Sequence, residues 1–208
     1  MAKISLVRVD DKLIYGQIVN SHMNFSPVKK VLIIDDTVAK KPVLQDALRM
    51  VMPYTIELET ISCEQLPQKL KENWLGPLIV LFKNIDSAVK AYREGFTFEK
   101  IEIGDTGRKE GVFTFGRTAR LSKEDVLYLE ELHENGVVII LHNSFSEGES
   151  LWSNVRKKPE VIRFISGYGT GGDEQSVLIE KAREQRPTER KGSARIAMQD
   201  APSIILAE

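Results

Sequence analysis

Apolar positions along the chain switch between two periods, and the switches mark out its elements. Ile4-Ser5-Leu6-Val7-Arg8-Val9 is rich in β-branched residues and predicts a strand, broken by Asp10-Asp11-Lys12. From Leu13 to about His22 the apolar residues Leu13, Ile14, Ile18 and Val19 recur at helical spacing. Val31-Leu32-Ile33-Ile34 is a continuous apolar run ended by Asp35-Asp36. Such a run suits a strand buried on both faces of a parallel sheet. Pro42 to Met52 carries Val43, Leu44, Ala47, Leu48 and Val51 on one helical face, and Pro53 ends the helix.

The alternation continues with a strand at Thr55 to Ile61, a helix at Cys63 to Asn73 and a second buried strand at Leu78 to Phe82. Asp86 to Glu94 predicts a helix with Asp86 as N-cap and Gly95 at C′. Ile101-Glu102-Ile103 is a short strand, and Phe113 to Ala119 is extended or loop. Ser122-Lys123-Glu124-Asp125 fits a capping box that opens a helix ending at Asn135-Gly136, before a strand at Val137 to Leu141. This order predicts a three-layer α/β fold: a mostly parallel open sheet with helices on both faces. Ligands of such folds sit beyond the carboxyl ends of the strands. The segments to watch are therefore Asp10–Tyr15, Asp35–Lys40, Lys83–Asp86, Gly104–Lys109 and His142–Glu149.

The pattern changes near residue 150, which divides an α/β domain (1–150) from a C-terminal extension (151–208). In the extension Val161 to Ile165 predicts a strand and Gln175 to Glu184 a helix. Gly167 to Gly172 reads as a hinge, since the Lys-Ser/Thr of a P-loop is absent. Gln185 to Ser193 is polar and loose, and Ser203-Ile204-Ile205-Leu206 is a short apolar strand suited to adding to a sheet edge.

Composition narrows the function. A net charge of -1 lacks the basic surplus of a nucleic-acid binder. The single cysteine, Cys63, allows no intrachain disulfide and fits a reducing compartment as a passive residue. The amino terminus has no apolar core of a signal peptide, and no stretch approaches the roughly 18 apolar residues of a membrane span. These features predict a cytoplasmic protein with no metal and no cofactor.

The informative segment is Val7-Arg8-Val9-Asp10-Asp11-Lys12-Leu13-Ile14-Tyr15-Gly16-Gln17-Ile18-Val19. It resembles the signature of mannose/fructose/sorbose-type IIB subunits of the sugar phosphotransferase system (PTS), which runs Arg, Ile or Val, Asp, Asp or Asn, Arg, Leu, Ile, His, Gly, Gln, Val. Val31 to Ala39, Leu81-Phe82-Lys83-Asn84, Ile101 to Gly104 (similar to the family's Asn-Ile-Gly-Gly) and Leu121 to Val137 agree in order and spacing. The likeness spans roughly residues 1–142. It implies a phosphocarrier that receives a phosphoryl group from a IIA domain on a histidine and passes it to a sugar emerging from a membrane permease. It also implies a phosphate- or sugar-binding loop in which Arg8 and Lys12 supply charge, Gly16 permits close backbone approach and Asp10 orients its neighbours. Asp11, Gln17, Asp36 and Lys83 complete the candidate ligand set.

The carrier position here is Tyr15. A phenol has a pKa of about 10 and is about a thousandfold less ionised than protonated at neutral pH, whereas imidazole is a competent nucleophile there. A phosphotyrosine is also an ordinary ester and a poor phosphoryl donor. The expected function is a IIB-like protein that retains fold and phosphate loop but not phosphocarrier activity. Two alternatives stand beside it: an active IIB component using His142 or His22, and an oligomeric interaction protein using the C-terminal tail. His133 is placed on an exposed helix face. Simpler roles stand beside the site residues too: Arg8 pairing with Asp10 or Asp36, Asp35-Asp36 capping the next turn, Lys83 and Asn84 ending a strand, and Tyr15 as a buried aromatic.

Overall fold

The structure, a computed structural model, describes residues 3–14, 28–69, 72, 77–107, 113–116, 119–142 and 148–167. The expected helix after Leu13 lies almost wholly outside these residues, as do Tyr15, Gly16, Gln17, His22 and every expected element beyond residue 167.

Strands β1 (Lys3–Val9), β2 (Lys30–Ile34), β3 (Glu57–Ile61), β4 (Pro77–Phe82), β5 (Lys100–Ile103), β8 (Val138–His142) and β9 (Glu149–Leu151) form a seven-stranded sheet in the order β3-β2-β4-β1-β5-β8-β9. Every pairing in it is parallel except β8 with β9. β6 (Phe113–Phe115) and β7 (Ala119–Leu121) make a separate antiparallel pair, so the two ends of the segment expected as extended or loop are extended. The helices are α1 (Asp36–Ala39), α2 (Pro42–Val51), α3 (Leu66–Lys69), α4 (Ile85–Arg93), α5 (Lys123–Glu134), α6 (Trp152–Val155) and α7 (Pro159–Gly167).

The two-residue period of a strand sorts the continuous apolar runs into two layers. Leu32 and Ile34 of β2 and Leu78, Val80 and Phe82 of β4 join a cluster with residues of α4, α5, α6 and α7. Val31 and Ile33 of β2 and Ile79 and Leu81 of β4 join the other, with Leu13, Ile14, Val28, Val38 and Met52. A sheet buried on both faces needs apolar residues at successive positions, which is why β2 and β4 read as unbroken runs. Trp152, Val155 and Val161 are buried in the first cluster.

Four expectations change. The N-cap of α4 is Asn84, whose extended backbone lets its side chain accept the Ser87 amide at 2.8 Å. Asp86 sits instead in the first turn and pairs with Lys90 one turn on at 2.7 Å. Residues 161–165 are helical, because Val161, Phe164 and Ile165 lie at helical spacing behind Pro159. The segment from Cys63 opens as a 3₁₀ turn, Cys63–Gln65, before α3. On α2 the anticipated apolar face is largely solvent-facing: Leu48 and the following Met52 reach the core, while Val43 is 78% and Val51 51% exposed.

The capping box forms as expected. Ser122 Oγ accepts the Asp125 amide at 3.1 Å and the Asp125 carboxylate accepts the Ser122 amide at 2.8 Å. Ser122→Ala is expected to lower stability by about 1 kcal/mol, read as a shifted urea midpoint with an unchanged slope.

Candidate functional site

The centre of the sheet builds the site. β1 lies between β4 and β5, and the chain leaves all three at the same edge. There the loops are laced by main chain: the Asp10 amide donates to Phe82 O at 2.9 Å, the Asp11 amide to Asp105 O at 2.7 Å and the Gly104 amide to Val9 O at 2.9 Å. Asp10 to Leu13 closes as a turn, with the Leu13 amide on Asp10 O at 2.9 Å and the Lys12 amide on Asp10 Oδ1 at 3.2 Å. Leu13 sits at φ 55°, a left-handed conformation costly for a branched side chain. Its burial among the second apolar layer holds it there.

Arg8 reaches this loop because of an irregularity in β1. The register against β4 shifts between Ile4 and Leu6, after which Leu6 and Arg8 share one face and Val7 and Val9 the other. Arg8 is 3% exposed, and its guanidinium donates to Asp10 Oδ2 at 2.9 Å and to Glu102 Oε2 at 3.4 Å. A cation so enclosed requires such partners. The Asp10 carboxyl is pushed above its ordinary value by burial, against the pull of Arg8 and the Lys12 amide. Gly104 makes the enclosure possible: a Cβ there would lie 2.6 Å from Asp10 Oδ2 and closer still to Arg8 Nη2.

The ionic string continues across β5 and β8. His142 Nε2 lies 3.3 Å from Glu102 Oε2 and 3.4 Å from Glu149 Oε1, and Lys100 Nζ is 3.5 Å from Glu102 Oε1. At the outer rim Lys12 Nζ meets Asp105 Oδ2 at 3.0 Å, and Lys83 Nζ stands 3.9 Å from Asp11 Oδ1. Burial alone would raise the Asp105 carboxyl; the Gly107 amide and Lys12 outweigh it and hold the group below its usual range.

The structure thus gathers Arg8, Asp10, Asp11, Lys12 and Lys83 at one edge. Asp36 does other work: its Oδ1 accepts the Cys63 amide at 2.9 Å, while Asp35 caps α1 through the Thr37 and Val38 amides. Cys63 is half-buried and its thiol is pushed up to about 11 by burial, with Asp36 adding to it, so it is a thiol and no nucleophile at neutral pH. His133, placed on an exposed face from the sequence, is half-buried in the last turn of α5. Glu102, Gly104 and Asp105 belong to the site but were not singled out as ligand residues. Their signal was a lone glutamate inside a short apolar strand, followed by a glycine at the strand's carboxyl end. Among the described residues no group of His, Cys, Asp and Glu side chains is arranged to hold a metal ion.

Residues 4–161 match the model of the family described as PTS system sorbose subfamily IIB component. The sorbose-specific EIIB component of Lacticaseibacillus casei is 26% identical over 144 residues, covering 66% of this chain and 85% of that protein. The mannose-specific EIIAB component of Escherichia coli K12 is 20% identical over 136 residues, 64% of this chain and 42% of that longer protein. Among solved structures, manxB from Thermoanaerobacter tengcongensis superposes with a TM-score of 0.70 at 23% identity, over 76% of this chain and 98% of its own. The IIBSor domain of the Klebsiella pneumoniae sorbose permease gives 0.62 at 24% identity, over 71% and 92%.

Proposed function

The chain belongs to the sorbose subfamily of PTS IIB components, and we propose that it keeps the family's phosphate loop as a binding or regulatory site without carrying a transferable phosphoryl group on residue 15. The observation that carries this reading is the identity of that residue, Tyr15, within a run that matches at Arg8, Asp10, Asp11, Gly16 and Gln17 and keeps a cation, Lys12, where the signature has Arg. A phenol of ordinary pKa is almost wholly protonated at neutral pH. Its phosphate ester lies too low in energy to feed another hydroxyl.

The loop around it retains the means to hold a phosphate-bearing or sugar ligand. The Lys12 and Lys83 ammonium groups stand at its rim, above strand ends laced together by main-chain hydrogen bonds. His142 is a poor substitute carrier. Its Nε2 faces the carboxylates of Glu102 and Glu149. The partners consistent with family membership are a IIA domain and the membrane subunits of a sugar permease, met at the cytoplasmic face. Among the described residues no helix is long and apolar enough to cross a membrane. A homo-oligomer assembled through the C-terminal tail is the separate alternative, and its test is the oligomer mass in solution after deletion of the residues beyond 186.

Incubation with phosphorylated upstream carriers and mass-spectrometric mapping of phosphate tests the reading. No stoichiometric acid-labile phosphate is expected on any histidine; one equivalent on His142 or His22 rejects it.

A further inference from the structure

This inference rests on the phosphate-loop reading and refines it. Every cation nominated for an anionic ligand already faces a carboxylate: Arg8 faces Asp10 and Glu102, Lys12 faces Asp105 and Lys83 faces Asp11. These pairs differ in how firmly the acid is held. Lys83 and Asp11 stand 3.9 Å apart with side chains 40% and 45% exposed, a spacing and setting in which an ion pair contributes little. Arg8 is enclosed and committed to its two acids.

Lys12 is different. Its side chain is 60% exposed to solvent, whereas Asp105 is 15% exposed and fixed by main chain. Asp105 Oδ1 accepts the Gly107 amide at 2.9 Å, and its carbonyl accepts the Asp11 amide at 2.7 Å. Gly107, at φ +75°, brings the loop against the Asp11 side chain, where a Cβ would lie 3.1 Å from Asp11 Cγ. The carboxylate is therefore held in place without an ordering cost of its own when Lys12 swings onto it.

We propose that Asp105 is a specificity-determining residue that acts as an internal anion on Lys12, so that a phosphate-bearing ligand gains this cation only by displacing a carboxylate. A dianion entering the loop meets the repulsion of Asp105 as well as the loss of Lys12. The site consequently discriminates against free phosphate and admits phosphoryl ligands only with help from further contacts.

Calorimetric titration of inorganic phosphate at low ionic strength tests this on the full chain, on Asp105→Asn and on Asp105→Asn combined with Lys12→Gln. Asparagine keeps an acceptor for the Gly107 amide, and near-ultraviolet circular dichroism checks that each variant is folded. Asp105→Asn is expected to bind phosphate at least about tenfold more tightly than the unchanged protein, with the gain lost in the double variant. Equal or weaker binding by Asp105→Asn, or a gain that survives loss of Lys12, overturns the role of Asp105 and leaves the phosphate-loop reading standing. No phosphate binding by any of the three proteins overturns both.

Discussion

Replacing Gly104 with alanine is expected to destabilise the protein by about 3 kcal/mol or more, because a single methyl group breaks a buried ion pair. The new Cβ would stand 2.6 Å from Asp10 Oδ2, inside van der Waals contact, and closer again to the Arg8 guanidinium. Long side chains ordinarily swing aside at little cost, but this one is closed in. Arg8 is 3% exposed, Asp10 is fully buried, and Glu102 holds the guanidinium from β5. Neither charge can leave without being stranded in an apolar layer. Urea unfolding followed by tryptophan fluorescence measures the loss as a lower midpoint; a midpoint within experimental error of the unchanged protein contradicts the packing described for Gly104.

Arg8→Gln is expected to cost about 3–5 kcal/mol near neutral pH, since it removes the guanidinium that faces the buried Asp10 carboxylate. The pH dependence gives the sharper test. The Asp10 carboxyl is already raised by burial, with Arg8 as the main opposing influence. Loss of Arg8 therefore raises it further. A carboxyl raised in the folded state binds its proton more tightly folded than unfolded, so stability falls as pH climbs through the raised value and recovers below the ordinary one. The deficit of the variant should accordingly shrink as pH is lowered from 7.5 through 5, in midpoints measured at each pH. Asp105 acts in the opposite sense. Its carboxyl is held low in the folded state, so its contribution is present at neutral pH and is lost as pH falls through that lowered value. A variant deficit that grows on acidification would rule out Asp10 as the stranded group.

Much of the fold could be read from local pattern because its causes are local. The runs Val31–Ile34 and Leu78–Phe82 are apolar at every position, and both faces of their strands are covered. Ser122 and Asp125 close a capping box that depends on four adjacent residues. The loop Asp10–Lys12 was locatable because acidic residues at the carboxyl end of a buried strand mark the ligand edge of an open sheet. The pairing of Arg8 with Glu102 spans 94 residues and depends on β1 lying beside β5 in one register. No short-range pattern carries that information. Asn84 and Asp86 are both good N-caps, and only the backbone geometry at Asn84 distinguishes them. The helix from Pro159 was read as a strand because a window of five residues, Val161 to Ile165, is too short to separate the two periods. Asp105 was overlooked as a ligand residue for the same reason as Glu102: its partner Lys12 arrives from another strand end.

Residue 15 decides whether the loop carries a phosphoryl group or only binds one. The most direct measurement is phosphoryl transfer from a phosphorylated IIA domain to the unchanged protein and to Tyr15→His, side by side, with acid-labile and acid-stable phosphate both mapped by mass spectrometry and onward transfer to a sugar followed. The expected result is no phosphate that reaches a sugar from the unchanged protein, and labile phosphate at position 15 of the histidine variant. Phosphate of either kind on the unchanged protein that passes onward to a sugar is the opposite result, and it would return residue 15 to the role of carrier.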